Sequence, residues 1–227
     1  KFSIVGIARR EIPLEDFKKF VRGAILKKKK YNEQDLESFI KHLQYEQGQF
    51  DSSDTYLKVK DTFNGIDKGW GQCSNKLFYL SVPPSLYELI LTRIAESKLS
   101  EPCNDELGWT RILIEKPFGK DVDTAQKLDA LLGKLFKEEQ VYRIDHYLAK
   151  QTLQNIMAFR FSNTIFEPLW NRDHIKVVVI NLFEEDTVEN RGSFYDANGA
   201  LIDVGQNHIL QMLALIAMEQ PESLHYS

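Results

Sequence analysis

Leu77-Phe78-Tyr79-Leu80-Ser81-Val82-Pro83-Pro84-Ser85-Leu86-Tyr87-Glu88 is the stretch that decides the fold class. Leu77 to Val82 is a short apolar run stopped by two prolines, which predicts a fully buried strand. Ser85 and Glu88 then have the spacing of a capping box, in which hydroxyl and carboxylate satisfy the free amides of a new helix. Leu86, Leu89, Ile90, Arg93 and Ile94 recur at helical spacing and carry that helix to about Lys98.

The same alternation continues outward. A polar loop from Ser100 to Glu106 leads into a second strand, Arg111 to Glu115. Asp121 or Asp123 opens a second helix, striped by Ala125, Leu128, Leu131, Leu132, Leu135 and Phe136. Val141-Tyr142-Arg143 begins a third strand. Strand–helix–strand repetition implies right-handed crossovers and a parallel sheet, and such sheets bind ligands beyond the carboxyl ends of their strands. Lys116 and Asp145 fall at those ends. Upstream, the chain opens in the strand-like run Phe2 to Ala8. Downstream, Lys176 to Phe183 reads as a strand and Gly205 to Met218 as a helix apolar on nearly every side. A domain change is placed near residues 145–150. The fold class is α/β followed by α+β: a doubly wound, Rossmann-type sheet, then the start of a second domain.

Composition narrows the class. The 227 residues are 43% hydrophobic, enough for one large core or two modest ones. No apolar run reaches the roughly 20 residues that span a bilayer, and no signal-like segment opens the chain. A net charge of -4 argues against nucleic-acid binding. The one basic run, Lys27 to Lys30, reads as a solvated helix end or loop rather than a phosphate patch. Cys73 and Cys103 are far apart with no metal or redox spacing, which fits a reducing cytoplasm.

Chemistry concentrates in Arg143-Ile144-Asp145-His146-Tyr147-Leu148-Ala149-Lys150. Asp145 can orient a base, and His146, Tyr147 and Lys150 together can grip a phosphate monoester. Glu115-Lys116-Pro117-Phe118-Gly119 presents a lysine at a strand end, able to donate to a substrate hydroxyl or a cofactor carbonyl; an ordinary turn with a solvated lysine is the alternative. His208 is the candidate base. At the expected start of the apolar helix, the positive helix end would favour its neutral form. If Asp145 holds its other nitrogen, the two form an orienting dyad; the alternative is a structural histidine capping its own helix. Asp203 and Glu185 can accept hydrogen bonds from sugar hydroxyls, or serve as a helix cap and part of an exposed acidic cluster. Arg9 and Arg10 follow the first strand, where a doubly wound fold reads a dinucleotide ribose or its 2′-phosphate. His42, His174 and His225 have no metal-ligand spacing, and no metal is expected.

Together these pieces resemble the glucose-6-phosphate dehydrogenase family. Residues 143–150 are similar to its signature R-I-D-H-Y-L-G-K, and residues 115–119 match E-K-P-F-G. Gly6-Ile7-Ala8-Arg9, Phe78 to Pro84, Leu169-Trp170-Asn171-Arg172, and Asp203 with Gln206-Asn207-His208 follow in the family's order. The resemblance implies oxidation of β-D-glucose 6-phosphate to 6-phosphoglucono-δ-lactone, with hydride passing to NADP. In family terms His208 takes the C1 hydroxyl proton and Asp145 supports it. His146, Tyr147 and Lys150 hold the 6-phosphate, while Lys116, Glu185 and Asp203 bind sugar hydroxyls. Arg9 reads the adenosine 2′-phosphate, and Tyr87 and Lys116 face the cofactor. Residues 1–145 become a partial NADP-binding domain and 146–227 the first part of an α+β domain, in a cytoplasmic homodimer or homotetramer.

Departures from the pattern are Ala149 for glycine, Gln151 for glutamate, and Gly205 for a larger residue. The family's first strand and its loop G-x-x-G-D-L would precede Lys1, and its large antiparallel sheet would follow Ser227. The expectation is therefore an interior piece, inactive or nearly so by itself. Two other readings are a non-catalytic sugar-phosphate-binding module and the hexose-6-phosphate dehydrogenase relatives, which share glutamine at the position of Gln151.

Overall fold

The computed structural model describes residues 1–27, 32–103, 108–119, 121–183, 187–188 and 192–221. Glu185, most of the Lys27–Lys30 run and His225 lie outside the described residues. The chain forms two compact units, Lys1–Arg143 and Ile144–Ser227.

The first unit runs β1 (Ile4–Ala8), α1 (Leu14–Leu26), α2 (Glu33–Ile40), β2 (Leu43–Gln47), α3 (Ser53–Trp70), β3 (Lys76–Leu80), α4 (Tyr87–Glu96), β4 (Thr110–Glu115), α5 (Val122–Leu135) and β5 (Val141–Ile144), which reaches the junction. β1 and β2 pair in parallel from Ile4↔Leu43 to Ala8↔Gln47. β3 and β4 pair in parallel from Lys76↔Thr110 to Leu80↔Ile114. The strands form two sheets, β1-β2 and β3-β4-β5. Leu91, Ile112 and Ile114 are fully buried in a cluster that joins α3, α4 and α5 to β3 and β4. Each such side chain contributes about 1.5–3 kcal/mol through its burial. A smaller cluster of Leu36, Ile40 and Leu43 seats α1 and α2 against β2.

Two local expectations fail in this unit. The strand around Phe78 is not fully buried: Phe78 and Leu80 enter the core, whereas Leu77 and Tyr79 are each 55% exposed and open on a cavity. The capping box is not formed either. Pro84 starts a 3₁₀ turn, Pro84–Leu86, closed by the Leu86 amide donating to Pro83 O at 2.9 Å. That turn carries Ser85 past the cap position, and α4 begins at Tyr87 without a side-chain cap. α5, by contrast, is capped by Asp121, whose carboxylate accepts from the Thr124 amide at 2.8 Å. Cys73 and Cys103, distant in sequence, come together. Both are free thiols; Cys103 lies 3.5 Å from an Asp67 carboxylate oxygen, and burial, followed by a hydrogen bond with Cys73, pushes its pKa up to about 11.

The second unit contains α6 (Gln151–Phe161), a 3₁₀ turn (Glu167–Leu169), α7 (Gly192–Ala200), a π-helix (Leu201–Ile209) and α8 (Leu210–Ala217). Its core is Tyr147, Leu153 and Leu215, with Ile156, Met157, Met212 and Met218 packed around them. The predicted strand at 176–183 is absent: this segment joins no sheet among the described residues, and Val179 and Phe183 are 71% and 88% exposed. Its valines and phenylalanine give strand propensity, but a strand needs a neighbouring ladder to form. The predicted helix at Gly205 begins earlier, at Leu201, and its first half is wound as π rather than α. No helix of the described residues is long and apolar enough to cross a membrane.

Candidate active site

The Asp145–Lys150 segment is folded by its own hydrogen bonds. An Asp145 carboxylate oxygen accepts the Tyr147 amide at 3.0 Å, an Asx turn. Tyr147 O then accepts the Lys150 amide at 2.9 Å, and Lys150 O accepts those of Leu153 and Gln154 as α6 begins. This turn sorts the interleaved residues. Tyr147 is driven into the core against Leu153 and Leu215, while His146 and Lys150 stay exposed.

Four of the predicted residues meet here. The Tyr147 and His208 rings are stacked, with centroids 3.7 Å apart and planes 14° from parallel. His146 stands edge-on to both, at 5.1 Å from Tyr147 and 5.0 Å from His208. The Lys150 ammonium lies 3.6 Å from the Tyr147 ring centroid, a cation–π contact. Asp145 joins the group through the Tyr147 amide.

The electrostatics of this corner run against ordinary helix design. Helix starts favour Ser, Thr, Asp or Asn at the N-cap and acidic residues in the first turn. α6 has Lys150 at its N-cap, no side-chain cap and no acidic residue in its first turn. A cation thus sits at the positive end of a helix whose N-cap side chain accepts none of its first amides. An anion bound there would relieve both costs.

His208 is buried, as a base shielded from bulk water would be, but not at a helix start. It is the eighth residue of the π-helix Leu201–Ile209, and α8 continues directly from it. The helix-end argument for a neutral imidazole therefore does not apply. What the π-winding does instead is geometric. Bonding from i to i+5 widens each turn, so residues five apart approach one face, where α-winding would splay them. Asp203 and His208 are five apart. Asp203, half-buried, lies inside this winding, so its reading as a helix cap is also replaced. Gly205 fits here because a Cβ would meet Leu201 Cδ1 at 3.2 Å.

The far end of α8 is held by groups that sequence reasoning left without a role. Buried Arg160 donates to Leu215 O at 2.9 Å, and the Trp170 indole donates to Ile216 O at 2.7 Å. Both satisfy carbonyls of the last turn, where a cation is also favoured by the helix dipole. Arg160 pairs with Glu167 at 3.3 Å and faces Trp170. An arginine within an otherwise apolar helix segment was the available signal.

In the first unit, Lys116 follows β4 and is half-buried. Tyr87 is buried, and its hydroxyl donates to Glu115 O at 3.1 Å, fixing the strand end just before Lys116. Burial, followed by the charge of Glu115, raises the Tyr87 pKa. Tyr79 donates to the Glu115 carboxylate. Lys116-Pro117 is a cis peptide, and Gly119 has φ +127° with its Cα against the start of α5. Arg9 is exposed just beyond β1, its carbonyl held by the Gln47 side chain at 3.1 Å. No cluster able to hold a metal is present among the described residues.

Comparisons with known proteins give the family. The family model described as glucose-6-phosphate dehydrogenase, NAD binding domain, matches residues 1–155, and that described as its C-terminal domain matches 157–227. Glucose-6-phosphate 1-dehydrogenase of Aggregatibacter actinomycetemcomitans is 41% identical over 97% of this chain and 44% of its own length. A cytoplasmic isoform from Arabidopsis thaliana is 40% identical over 97% of this chain and 43% of its own. Among solved structures, the Mycobacterium avium enzyme superposes with a TM-score of 0.82 at 34% identity, covering 98% of this chain and 47% of that one. A glucose-6-phosphate dehydrogenase in complex with its substrate glucose-6-phosphate superposes at 0.80 with 32% identity, covering 98% of this chain and 45% of that one. The chain thus spans less than half the length of these relatives. Matched by family models along nearly its whole length, it belongs to the glucose-6-phosphate dehydrogenase family.

Proposed function

We propose that the whole protein oxidises β-D-glucose 6-phosphate to 6-phosphoglucono-δ-lactone with NADP, and that this chain carries the sugar-phosphate cradle and the base. One observation carries the reading: the uncapped start of α6, with Lys150 at its N-cap and His146 beside it, is suited to a phosphate dianion and ill-suited to being empty. The superposed relative with glucose-6-phosphate supports the same substrate.

In this reading His146, Tyr147 and Lys150 take the 6-phosphate. His208, on its tyrosine platform, accepts the proton of the C1 hydroxyl, and Asp145 supports it as the charge develops. Asp203, Glu185 and Lys116 bind sugar hydroxyls. The nicotinamide, when bound, accepts the hydride from C1. The chain's own residues fit such a group: β3 and β4 end together at Leu80↔Ile114, which sets Pro83–Pro84 and Lys116 at one edge of a parallel pair. Dinucleotides bind at such edges. Arg9 offers an exposed cation beyond β1 for the 2′-phosphate that distinguishes NADP. Tyr87 serves this side through its hold on Glu115. The isoform named cytoplasmic in Arabidopsis thaliana supports a cytoplasmic location.

A titration of the chain with glucose 6-phosphate tests the cradle, and NADP reduction with both ligands present tests the chemistry. Lys150→Ala should weaken sugar-phosphate binding at least tenfold through loss of a charge-assisted contact. Any NADP reduction should vanish in His208→Ala. Unchanged affinity in Lys150→Ala would refute the cradle. Binding without reduction would favour the second reading, a sugar-phosphate-binding module, for the chain by itself.

A further inference from the structure

The first unit brings its two cysteines together through two neighbouring connections. Cys73 follows the left-handed Gly71 that ends α3, and Cys103 lies on the connection from α4 to β4. Parallel pairing of β3 with β4 lays these connections side by side. The Lys76 amide donates to Trp109 O at 2.8 Å, and the Trp109 amide donates to the Asn75 side chain at 3.0 Å. Gly108, at φ +84°, packs so closely that an added Cβ would sit 3.3 Å from Ser74 O and 3.8 Å from Cys73 Cβ. Asp67 of α3 fastens the same place. Its carboxylate accepts the Ser74 amide at 2.9 Å, the Lys76 ammonium at 3.0 Å and the Cys103 thiol at 3.5 Å. Cys73 and Cys103 share a hydrogen bond, and Cys103 is exposed to solvent.

We propose that Cys73 and Cys103 are the two halves of a reversible disulfide, closed by a small external disulfide such as glutathione disulfide and reopened by its thiol. Thiols that already share a hydrogen bond reach the roughly 2.05 Å of an S–S bond by side-chain rotation. Closure leaves no charge unpaired, because Asp67 loses the Cys103 donor but keeps Ser74 and Lys76. In the first step the Cys103 thiolate attacks one sulfur of the external disulfide and expels a thiolate. The Cys73 thiolate then attacks the Cys103 sulfur of the mixed disulfide and expels the second. The chain loses two electrons and the external disulfide gains them, while the two cysteine protons end on the two small thiols. Burial and the bond to Cys73 keep Cys103 protonated and slow the first step, opposed by the Lys76 ammonium 3.8 Å away; neither alters the products. Asp67 and Lys76 also stabilise the reduced pair, and a stabilised dithiol makes its disulfide easier to reduce. The bond is therefore of the labile, switching kind rather than a structural staple. It sits at the amino end of β4, away from Lys116 at the other end, and its assignment is independent of the enzymatic reading.

The test equilibrates the chain, without air, in glutathione buffers of rising disulfide-to-thiol ratio, traps free thiols with N-ethylmaleimide and weighs the product by mass spectrometry. The expected product takes up no maleimide, carries no glutathione and is lighter by the two thiol hydrogens. Trypsin should then release residues 69–76 joined to residues 99–111. In concentrated urea the same bond should close at least about tenfold less favourably, because only the fold holds the two thiols at high effective concentration. Cys73→Ser and Cys103→Ser should each stop at a single glutathione on the remaining thiol. The proposal is overturned if both thiols stay open to maleimide at a high disulfide ratio, or if each carries its own glutathione. A linkage between two chains, or closure as favourable in urea as in the native chain, would overturn it equally.

Discussion

The Tyr147 ring lies flat against the His208 ring, 3.7 Å between centroids, and carries the Lys150 ammonium 3.6 Å from its own centroid. One buried phenol thus links the residue proposed to move the proton with a residue proposed to hold the phosphate. Tyr147→Phe should keep the stack, and the ring-current displacement of the His208 ring protons in the NMR spectrum should persist. Tyr147→Ala should abolish that displacement and destabilise the chain by about 3–5 kcal/mol, the usual cost of removing a buried aromatic ring. A His208 spectrum identical in wild type and Tyr147→Ala would show that the stack does not exist in solution.

Arg160 is 2% exposed and joins Glu167 to the last turn of α8. Arg160→Ala leaves a carboxylate and a helix-end carbonyl without their donor. Because Glu167 retains some solvent contact, the loss should fall near the lower end of the range for a broken buried pair, about 3 kcal/mol. Arg160→Met with Glu167→Leu should recover part of it. Urea denaturation of the single and double variants measures both.

Gly119 packs its Cα against α5 with φ +127°, and an added Cβ would approach Ala125 N to 2.5 Å. Gly119→Ala should therefore destabilise the chain by about 1–3 kcal/mol. It should also disturb the turn that carries Lys116. Thermal unfolding followed by circular dichroism gives the first effect directly.

Tyr56 is buried, and its hydroxyl donates to Phe50 O at 2.8 Å. Burial, partly offset by Arg93, pushes its pKa up to about 12 from an ordinary 10.0. The folded chain holds this proton more tightly than the unfolded one, so its contribution to stability is present below pH 10 and is lost as pH rises towards 12. Absorbance titration of Tyr56→Phe against the parent should remove one late-ionising phenol. The alkaline decline of folding stability should be shallower in the variant.

Short apolar runs and helical spacing made β3, β4, β5 and the helices between them legible, while the alternating burial of Thr110, Ile112 and Ile114 in β4 came with the structure. Of the two aspartates read as opening α5, Asp121 is the cap, with its partner Thr124 only three residues away. The misses have physical causes. Ser85 and Glu88 lost their capping box to the 3₁₀ turn that Pro84 starts, a preference set by proline's fixed φ. Residues 176–183 have strand propensity without a ladder, and propensity cannot supply a neighbour. In the candidate site, Asp145, His146, Tyr147 and Lys150 were singled out by adjacency, and His208 by its place at the expected start of an apolar helix. Its stack on Tyr147 was not, because it depends on how a distant helix is wound.

That winding has a genetic consequence. A π-wound segment accommodates a different number of residues per turn from the α-helix that follows it, so in Leu201–Ile209 chain length is as constrained as residue identity. Removing one residue between Asp203 and His208 would turn the two relative to each other by roughly a quarter turn of the helix, more than most side-chain replacements could achieve. Substitutions along this stretch grade the site; single-codon deletions and insertions should switch it off.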